Sequence, residues 1–206
     1  MAGFFHFSKY ALLVALILPA GVIAQNLRVG ATAPEFTATD SNGKTDSLDT
    51  FRGKYVVLEW HNQGCPYTKK HYVSGNMQAL QKEWTGKGVV WFTVISSAPG
   101  EQGYVTANQE NAYLREMRAV PTAALLDPEG KLGHLYNAKT TPQMFVIDPK
   151  GTLIYAGAID DRPTPDPDDV HGAKNYVSDA LTAAMAGQRV ATPSTRSYGC
   201  SVKYSD

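Results

Sequence analysis

The sequence predicts a single α/β domain with helices on both faces of a central sheet, and two observations support this prediction. Short runs of β-branched and aromatic residues alternate with segments of helical periodicity, which is the pattern of consecutive strand–helix–strand units. The length of 206 residues suits one domain, or at most two. With 43% hydrophobic and 18% charged residues, the chain is too balanced in composition to be disordered.

The first half of the chain contains two predicted strands around one predicted helix. Residues 55–60 form an apolar, β-branched run that ends in turn-forming residues, as a buried strand does. Pro66 suits the first position of a helix, and apolar residues recur at three- and four-residue steps over residues 67–84, so a helix is predicted there. The sequence Gly-Lys-Gly at residues 86–88 ends this helix, and residues 89–95 are the second apolar strand.

The second half continues the alternation and ends in two polar segments. Good helix formers predict a helix over residues 108–120, and a third strand is predicted at 122–126. Two further strands, at 143–147 and 152–157, flank an Asp-Pro-Lys-Gly turn and are predicted to form a hairpin. A final helix is predicted over residues 173–186. Residues 160–169 are polar and rich in proline, which predicts an exposed loop. The tail, residues 188–206, is predicted to be loop-like and flexible.

Residues 1–24 are predicted to be a secretory signal peptide. The amino terminus and Lys9 give a weakly positive start, and an apolar run follows that Pro19 and Gly21 interrupt. A membrane anchor is the alternative, but a span needs about 20 apolar residues and this run is shorter. Ala24 suits cleavage before Gln25, so we expect a periplasmic or secreted protein with no membrane association after cleavage.

Charge and cysteine content exclude several kinds of partner and site. Lys and Arg total 19, as do Asp and Glu, so the chain has no overall basic charge to recruit nucleic acid or an anionic membrane. The two cysteines, Cys65 and Cys200, are too few for a disulfide-rich miniprotein or a four-thiolate zinc site. His61 lies four residues before Cys65, but this spacing supplies two metal ligands at most, so neither a metal nor a cofactor is predicted.

Cys65 is the candidate nucleophile. It stands between a predicted strand and a predicted helix, directly before Pro66, where the helix dipole favours a thiolate. Lys69, one turn along the helix, adds positive charge. A lowered thiol pKa would make Cys65 a competent nucleophile, whereas the alternative is a buried and inert cysteine.

Cys200 is the second thiol and lies in the tail. Thiol–disulfide exchange needs a second sulfur to release a mixed disulfide, and the chain has no other cysteine than these two. Three interpretations stay open: an intramolecular resolving partner for Cys65, a permanent structural disulfide, and a link to another subunit or a free thiol.

Several motifs together resemble the thioredoxin fold in its redoxin branch, the alkyl hydroperoxide reductase and thiol-specific antioxidant family. The motifs are Gly-Cys-Pro-Tyr-Thr at residues 64–68, Thr-Thr-Pro at 140–142, the Asp-Pro-Lys-Gly turn, and an N-terminal redoxin extension at residues 29–36. The resemblance covers residues 27–187 and implies a thioredoxin-like mixed sheet in a redoxin domain of residues 25–187. It also implies that Pro142 is a cis proline facing the sulfur, and that the backbone of Thr141 pairs with a bound, disulfide-containing chain.

The resemblance assigns further roles near Cys65. Glu59 corresponds to the buried acid of thioredoxins, which moves a proton to and from the attacked sulfur; the alternative is a strand-end residue paired with a lysine. Trp60 and Tyr67 are expected to form an apolar wall beside the sulfur, although core packing explains an aromatic residue equally well. Together with Trp60 and Tyr67, the predicted substrate-binding residues are Pro66, Thr68 and Thr141.

Departures from the family pattern determine the predicted activity. Thr68 stands where thioredoxins have a second cysteine, Asn62 where peroxiredoxins have a threonine, and Pro142 where peroxiredoxins have an activating arginine. We therefore expect an exported thiol–disulfide oxidoreductase whose partner is a protein or small-molecule thiol or disulfide. The alternatives are a peroxiredoxin-type peroxidase and a non-enzymatic binding protein with a structural Cys65–Cys200 disulfide.

Overall fold

The computed structural model describes residues 27–205, together with Met1 and Gly3. The predicted signal peptide, residues 1–24, therefore lies outside the range 27–205. Within the described residues, no helix is both long enough and apolar enough to cross a membrane.

A seven-stranded mixed sheet forms the centre of the molecule. The strands are β1 (Thr37–Asp40), β2 (Thr45–Ser47), β3 (Val56–Trp60), β4 (Val90–Ile95), β5 (Ala123–Leu126), β6 (Thr140–Thr141), β7 (Gln143–Ile147), β8 (Leu153–Gly157) and β9 (Cys200–Ser201). The order across the main sheet is β2-β1-β5-β4-β3-β7-β8, with β3, β4 and β5 parallel and the other neighbours antiparallel. A separate two-stranded sheet pairs β6 with β9.

The α-helices are α1 (Pro66–Val73), α2 (Asn76–Gly86), α3 (Ala107–Glu116), α4 (Lys131–Leu135) and α5 (Tyr176–Met185), with 3₁₀ turns at Leu48–Phe51 and Pro167–Val170. The single helix predicted over residues 67–84 is wrong, because Gly75 adopts a left-handed backbone conformation (φ 76°) that separates α1 from α2. The helix predicted over 108–120 begins one residue earlier, where Thr106 forms a capping box with Gln109, and ends at Glu116.

Two apolar layers cover the two faces of the sheet. Because side chains alternate along a strand, Leu58 and Phe92 pack on one face with the N-terminal extension and α4, whereas Val57 and Trp91 pack on the other with α2 and α5. The predicted α/β architecture is confirmed. Glu59 follows Val57 by two residues on β3, so the two side chains point to the same face of the sheet. The carboxyl group of Glu59 therefore lies under α1 and α2.

Two of the predicted loops are more ordered than expected. The segment predicted as an exposed loop, residues 160–169, contains the 3₁₀ turn Pro167–Val170, and Asp160 at its start is only 3% exposed. The tail contains strand β9, which pairs with β6 instead of extending freely into solvent.

Candidate functional site

Cys65 caps the first helix that follows the central strand β3. Its backbone is extended (φ −82°, ψ 123°), Pro66 takes the first helical position, and the backbone N–H of Cys65 donates to the carbonyl of Asn62 across the turn. The side chain of Cys65 is fully buried. The predicted position of the sulfur at a helix N-terminus is therefore confirmed.

The cis peptide bond between Thr141 and Pro142 lies beside this sulfur. The Sγ atom of Cys65 is 3.0 Å from the carbonyl oxygen of Thr141. Both Thr141 and Pro142 are buried. The structure thus brings together three of the residues singled out in the sequence.

Cys200 reaches the same place from the tail. In the β6–β9 pair, Thr141 lies opposite Cys200. The Sγ atoms of Cys65 and Cys200 are 2.7 Å apart, and both cysteines are thiols in this structure. Cys200 is partly exposed, whereas the Cys65 side chain that it contacts is buried.

The two thiols have opposite pKa shifts. Burial raises the pKa of Cys65, but the hydrogen bonds that Cys65 makes with Cys200, with Thr141 and with the backbone of Thr68 outweigh burial, so this pKa lies below its ordinary value. Burial and the neighbouring Cys65 sulfur raise the pKa of Cys200 to about 12. The pair therefore ionises first at Cys65, which is the better nucleophile and the better leaving group.

Glu59 is fully buried and holds its carboxyl group in a cage of hydrogen bonds. Tyr72 donates to Oε1 at 2.8 Å, Trp91 donates to Oε2 at 2.8 Å and Gln81 donates to Oε2 at 3.2 Å. Burial raises the pKa of Glu59 to about 7, although these donors act in the opposite direction. In the described part of the chain no lysine pairs with Glu59, and no hydrogen bond joins it directly to Cys65.

Further buried polar groups surround Glu59 that the sequence patterns did not reveal. The Nδ1 atom of His61 is 3.8 Å from Oε1 of Glu59, and its ring packs 5.2 Å from that of Tyr113. Within the described residues, neither ring nitrogen of His61 nor either carboxyl oxygen of Glu110 makes a hydrogen bond. Burial lowers the pKa of His61 to about 3 and raises that of Glu110 to about 7. Sequence spacing gives no signal for this cluster, because its members come from different elements.

The predicted substrate-binding residues fall into two groups. Trp60 is fully buried among core aromatics, 5.2 Å from the ring of Phe145, so its described contacts are those of core packing. Pro66 is exposed and Tyr67 half-buried, with Tyr67 against the tail residue Tyr198 at 5.9 Å, whereas Thr68 is buried. Of the predicted wall, Tyr67 is thus partly exposed and Trp60 is not, and Pro66 is the predicted substrate-binding residue that is exposed.

Asn62 braces the neighbouring loop. Its side-chain oxygen accepts from the backbone N–H of Gly64, and its Nδ2 donates to the side chain of Gln102 at 2.8 Å. Within the residues that the structure describes, three or more His, Cys, Asp or Glu side chains nowhere cluster in a way that could hold a metal ion.

Comparison with known sequences gives consistent matches. The model of the AhpC/TSA family matches residues 29–156. The thiol-disulfide oxidoreductase ResA of Bacillus subtilis is 25% identical over 156 residues, which cover 72% of this chain and 82% of the relative. The chloroplastic peroxiredoxin Q of Triticum aestivum is 24% identical over 156 residues, which cover 61% of this chain and 66% of the relative.

Comparison with solved structures shows the fold. A hypothetical protein of Sinorhizobium meliloti aligns with a TM-score of 0.74 at 22% identity and covers 88% of this chain and 97% of its own. A thiol:disulfide interchange protein from Bacteroides sp. aligns with a TM-score of 0.51 at 20% identity and covers 72% of this chain and 90% of its own. The predicted thioredoxin-like fold is confirmed.

Proposed function

Because the chain belongs to the AhpC/TSA family and is a thioredoxin-like oxidoreductase, we propose that it catalyses thiol–disulfide exchange through Cys65 and Cys200. The observation that carries this proposal is the meeting of the two sulfurs, 2.7 Å apart, where α1 begins beside Pro142. The partner in this proposal is a protein or small-molecule thiol or disulfide.

The exchange takes place in two balanced steps. The Cys65 thiolate attacks one sulfur of a partner disulfide, a bond forms between Cys65 and that sulfur, and the partner's other sulfur leaves as a thiolate. The Cys200 sulfur then attacks Cys65 and expels the first partner sulfur, which takes up the proton that Cys200 loses. The partner gains two electrons, and the protein is left with a Cys65–Cys200 disulfide. The reverse sequence oxidises a partner dithiol.

Glu59 is proposed to hold the proton that accompanies these steps. Its pKa of about 7 means that the carboxyl group changes its charge near neutrality. Since no direct hydrogen bond links it to Cys65 in the described residues, the proton would pass through an intervening group. His61, whose Nδ1 lies 3.8 Å from the carboxyl group, stands between Glu59 and Cys65 in the sequence.

We also propose that the chain is exported and divided into a signal peptide at residues 1–24, a redoxin domain at residues 25–187 and the tail at residues 188–206. The apolar run near the amino terminus supports export. An oxidising compartment outside the cytosol would allow Cys65 and Cys200 to cycle between thiols and a disulfide.

A peroxidase is the second candidate, and the resemblance to a peroxiredoxin Q favours it. The side chain of Asn62 is engaged by Gln102 and Gly64, and Pro142 stands where peroxiredoxins have an arginine. These features favour exchange over fast peroxide reduction. Stopped-flow kinetics of the reduced protein with hydrogen peroxide separate the two activities.

The exchange proposal is tested with the full-length chain and a disulfide-linked peptide as partner. Cys65→Ser should abolish the exchange, whereas Cys200→Ser should accumulate a mixed disulfide, detected as an increase in protein mass. Ser201→Ala, an exposed change beside Cys200, is the control and should behave as the unmodified protein. Continued turnover in the Cys65→Ser protein would contradict the proposal.

A further inference from the structure

The tail lies across the position where an incoming chain would pair with Thr141. Strand β9 pairs with β6 in antiparallel register, Thr141 opposite Cys200 and Thr140 opposite Ser201. This is the backbone that the redoxin resemblance assigns to a bound, disulfide-containing chain. The tail of the same molecule therefore occupies the proposed partner position, with Cys200 over Cys65.

We propose that Tyr198 is a positioning residue: anchored against Asp160 and α1, it holds Cys200 over Cys65 and keeps the site closed until the tail is displaced. This inference rests on the Cys65–Cys200 exchange proposed above. It adds a residue that sets both the pairing of the two sulfurs and the access of partners to Cys65.

The first observation is the environment of the Tyr198 side chain. Its hydroxyl donates a short hydrogen bond to Oδ1 of Asp160 and lies 3.3 Å from Nε2 of His71. The Nζ atom of Lys70 is 5.6 Å from the centre of the Tyr198 ring, within range of a cation–π interaction. The ring of Tyr67 lies 5.9 Å from that of Tyr198, centre to centre. One tail side chain thus makes four different contacts, two residues before Cys200.

The second observation is that the anchor is built from buried charges. Asp160 is 3% exposed and Lys70 is 1% exposed, with 3.7 Å between Oδ2 and Nζ. Lys70 also donates to the carbonyl oxygen of Arg162 at 2.6 Å. Buried charges need partners. In the described residues, the Oδ1 atom of Asp160 accepts from the Tyr198 hydroxyl and from the backbone N–H of Arg162. Without the hydroxyl, only the Arg162 donor would remain at Oδ1.

The third observation connects the anchor to the nucleophile. Lys70 and His71 belong to α1, the helix whose N-terminus carries Cys65. The residue between Tyr198 and Cys200 is Gly199, with a φ of 122° and no room for a side chain, since a Cβ there would lie 2.0 Å from the carbonyl oxygen of Thr141. Anchor and sulfur are therefore joined by a single closely packed residue.

The rest of the tail is attached on both sides of this point. Thr195 lies 2.7 Å from the hydroxyl of Tyr155, and beyond Cys200 the hydroxyl of Tyr204 donates to the carbonyl oxygen of Ala138 at 2.7 Å. Release of Tyr198 would therefore loosen the segment around Cys200 without detaching the whole tail. The expected effect is a change in local pairing rather than loss of the fold.

The first test measures how strongly the two sulfurs pair. Full-length Tyr198→Phe and Tyr176→Phe are equilibrated in glutathione redox buffers, and the oxidised fraction is read from the mass after alkylation. Tyr176 is the control, because its hydroxyl makes no hydrogen bond within the residues that the structure describes. Loss of a hydrogen bond to a charged group should lower the equilibrium constant for the disulfide about tenfold in Tyr198→Phe, which corresponds to about 30 mV. The control should not change it.

The second test measures access to Cys65 without relying on its disulfide. In the Cys200→Ser background, and at a pH high enough to ionise Cys65 in both variants, Tyr198→Phe should raise the rate of Cys65 alkylation by iodoacetamide about tenfold, and Tyr176→Phe should leave the rate unchanged. Equal alkylation rates in the two variants would overturn the inference. If the unmodified chain forms no Cys65–Cys200 disulfide, the exchange proposal fails, while the alkylation rates still decide whether Tyr198 closes the site.

Discussion

At the scale of single residues, the two neighbouring thiols of the site differ in acidity. Cys65 is buried, yet its hydrogen bonds with Cys200, Thr141 and Thr68 lower its pKa, whereas the pKa of Cys200 rises to about 12. A buried thiol without such hydrogen bonds would instead be less acidic than free cysteine. The acidity of Cys65 therefore depends on the tail being in place.

Glu59 provides a prediction at this scale. Replacing it by Gln keeps the shape of the side chain and removes the group whose pKa is about 7. We expect the exchange rate of the unmodified protein to rise across neutral pH as Glu59 ionises. The Glu59→Gln protein should lose this rise and react at least about tenfold more slowly at pH 8. The measurement is the pH profile of mixed-disulfide formation in the Cys200→Ser background.

The exposed change Glu116→Gln serves as the control for the Glu59 experiment and should leave the pH profile as it is. Superimposable profiles for Glu59→Gln and the unmodified protein would remove Glu59 from the mechanism.

The sequence could single out Cys65 from its strand–helix junction, Cys200 as the other cysteine, and Glu59 and Pro142 from the family resemblance. It could not identify Asp160, Lys70 and Tyr198 as one cluster, since these residues are brought together by the fold. The predicted loop at residues 160–169 illustrates the reason: its composition is that of a solvent-exposed segment, and the burial of Asp160 depends on a tail that returns from the far end of the chain.

At the scale of elements, the break between α1 and α2 sets the length of the helix that begins at Cys65. Ser74 ends α1, and Gly75 takes the left-handed conformation that lets α2 start in a new direction. The apolar periodicity continues across this break, which is why it predicted one helix. A glycine within such a pattern is the local signal that was available.

The break makes a quantitative prediction. Gly75→Ala should reduce the free energy of unfolding by about 1 kcal/mol, because alanine resists a positive φ although no atom lies within 4 Å of the new methyl group. The control is Gly86→Ala at the end of α2, where φ is not positive and space is equally open. Urea unfolding of the two variants should separate them, and an equal stability would show that the Gly75 conformation is not required.

At the scale of the whole molecule, buried acids and buried histidines oppose each other in their response to pH. Glu59 and Glu110 keep their protons up to a pKa of about 7, so each makes the fold less stable as pH rises from about 4.5 to about 7. His61 and His71 stay neutral down to a pKa of about 3, so each makes the fold less stable as pH falls below about 6.5. The opposed contributions largely cancel in mildly acidic solution.

Removing one of these groups should reveal its contribution to the pH dependence of stability. Glu110→Gln eliminates a buried carboxylate whose oxygens have no hydrogen-bond partner in the described residues. Its stability relative to the unmodified protein should rise by about 2 kcal/mol between pH 5 and pH 8, because each unit of pKa shift corresponds to about 1.36 kcal/mol. Urea unfolding at both pH values measures this difference, with Glu116→Gln as the control on the same helix. A pH-independent difference would place an ionised carboxylate in a hydrated environment.

The α/β class, with helices on both faces of a central sheet, could be predicted from the alternation of strands and helices, whereas the mixed thioredoxin-like sheet was expected only from the family resemblance. The path of the tail could not be predicted, because residues 188–206 have little apolar periodicity and their pairing with β6 depends on backbone geometry at Thr141 and on Gly199. Export, the redoxin domain boundaries and the physiological partner stay predictions of the sequence and the family.

The most direct test of the central claim is the equilibrium between the two thiols and the Cys65–Cys200 disulfide. The full-length protein is titrated in graded redox buffers, quenched with an alkylating reagent and analysed by mass. We predict reversible conversion with a midpoint above about −300 mV, the region of catalytic disulfides. A disulfide that resists reduction below about −300 mV, as structural disulfides do, or two cysteines that never join, would contradict an exchange mechanism.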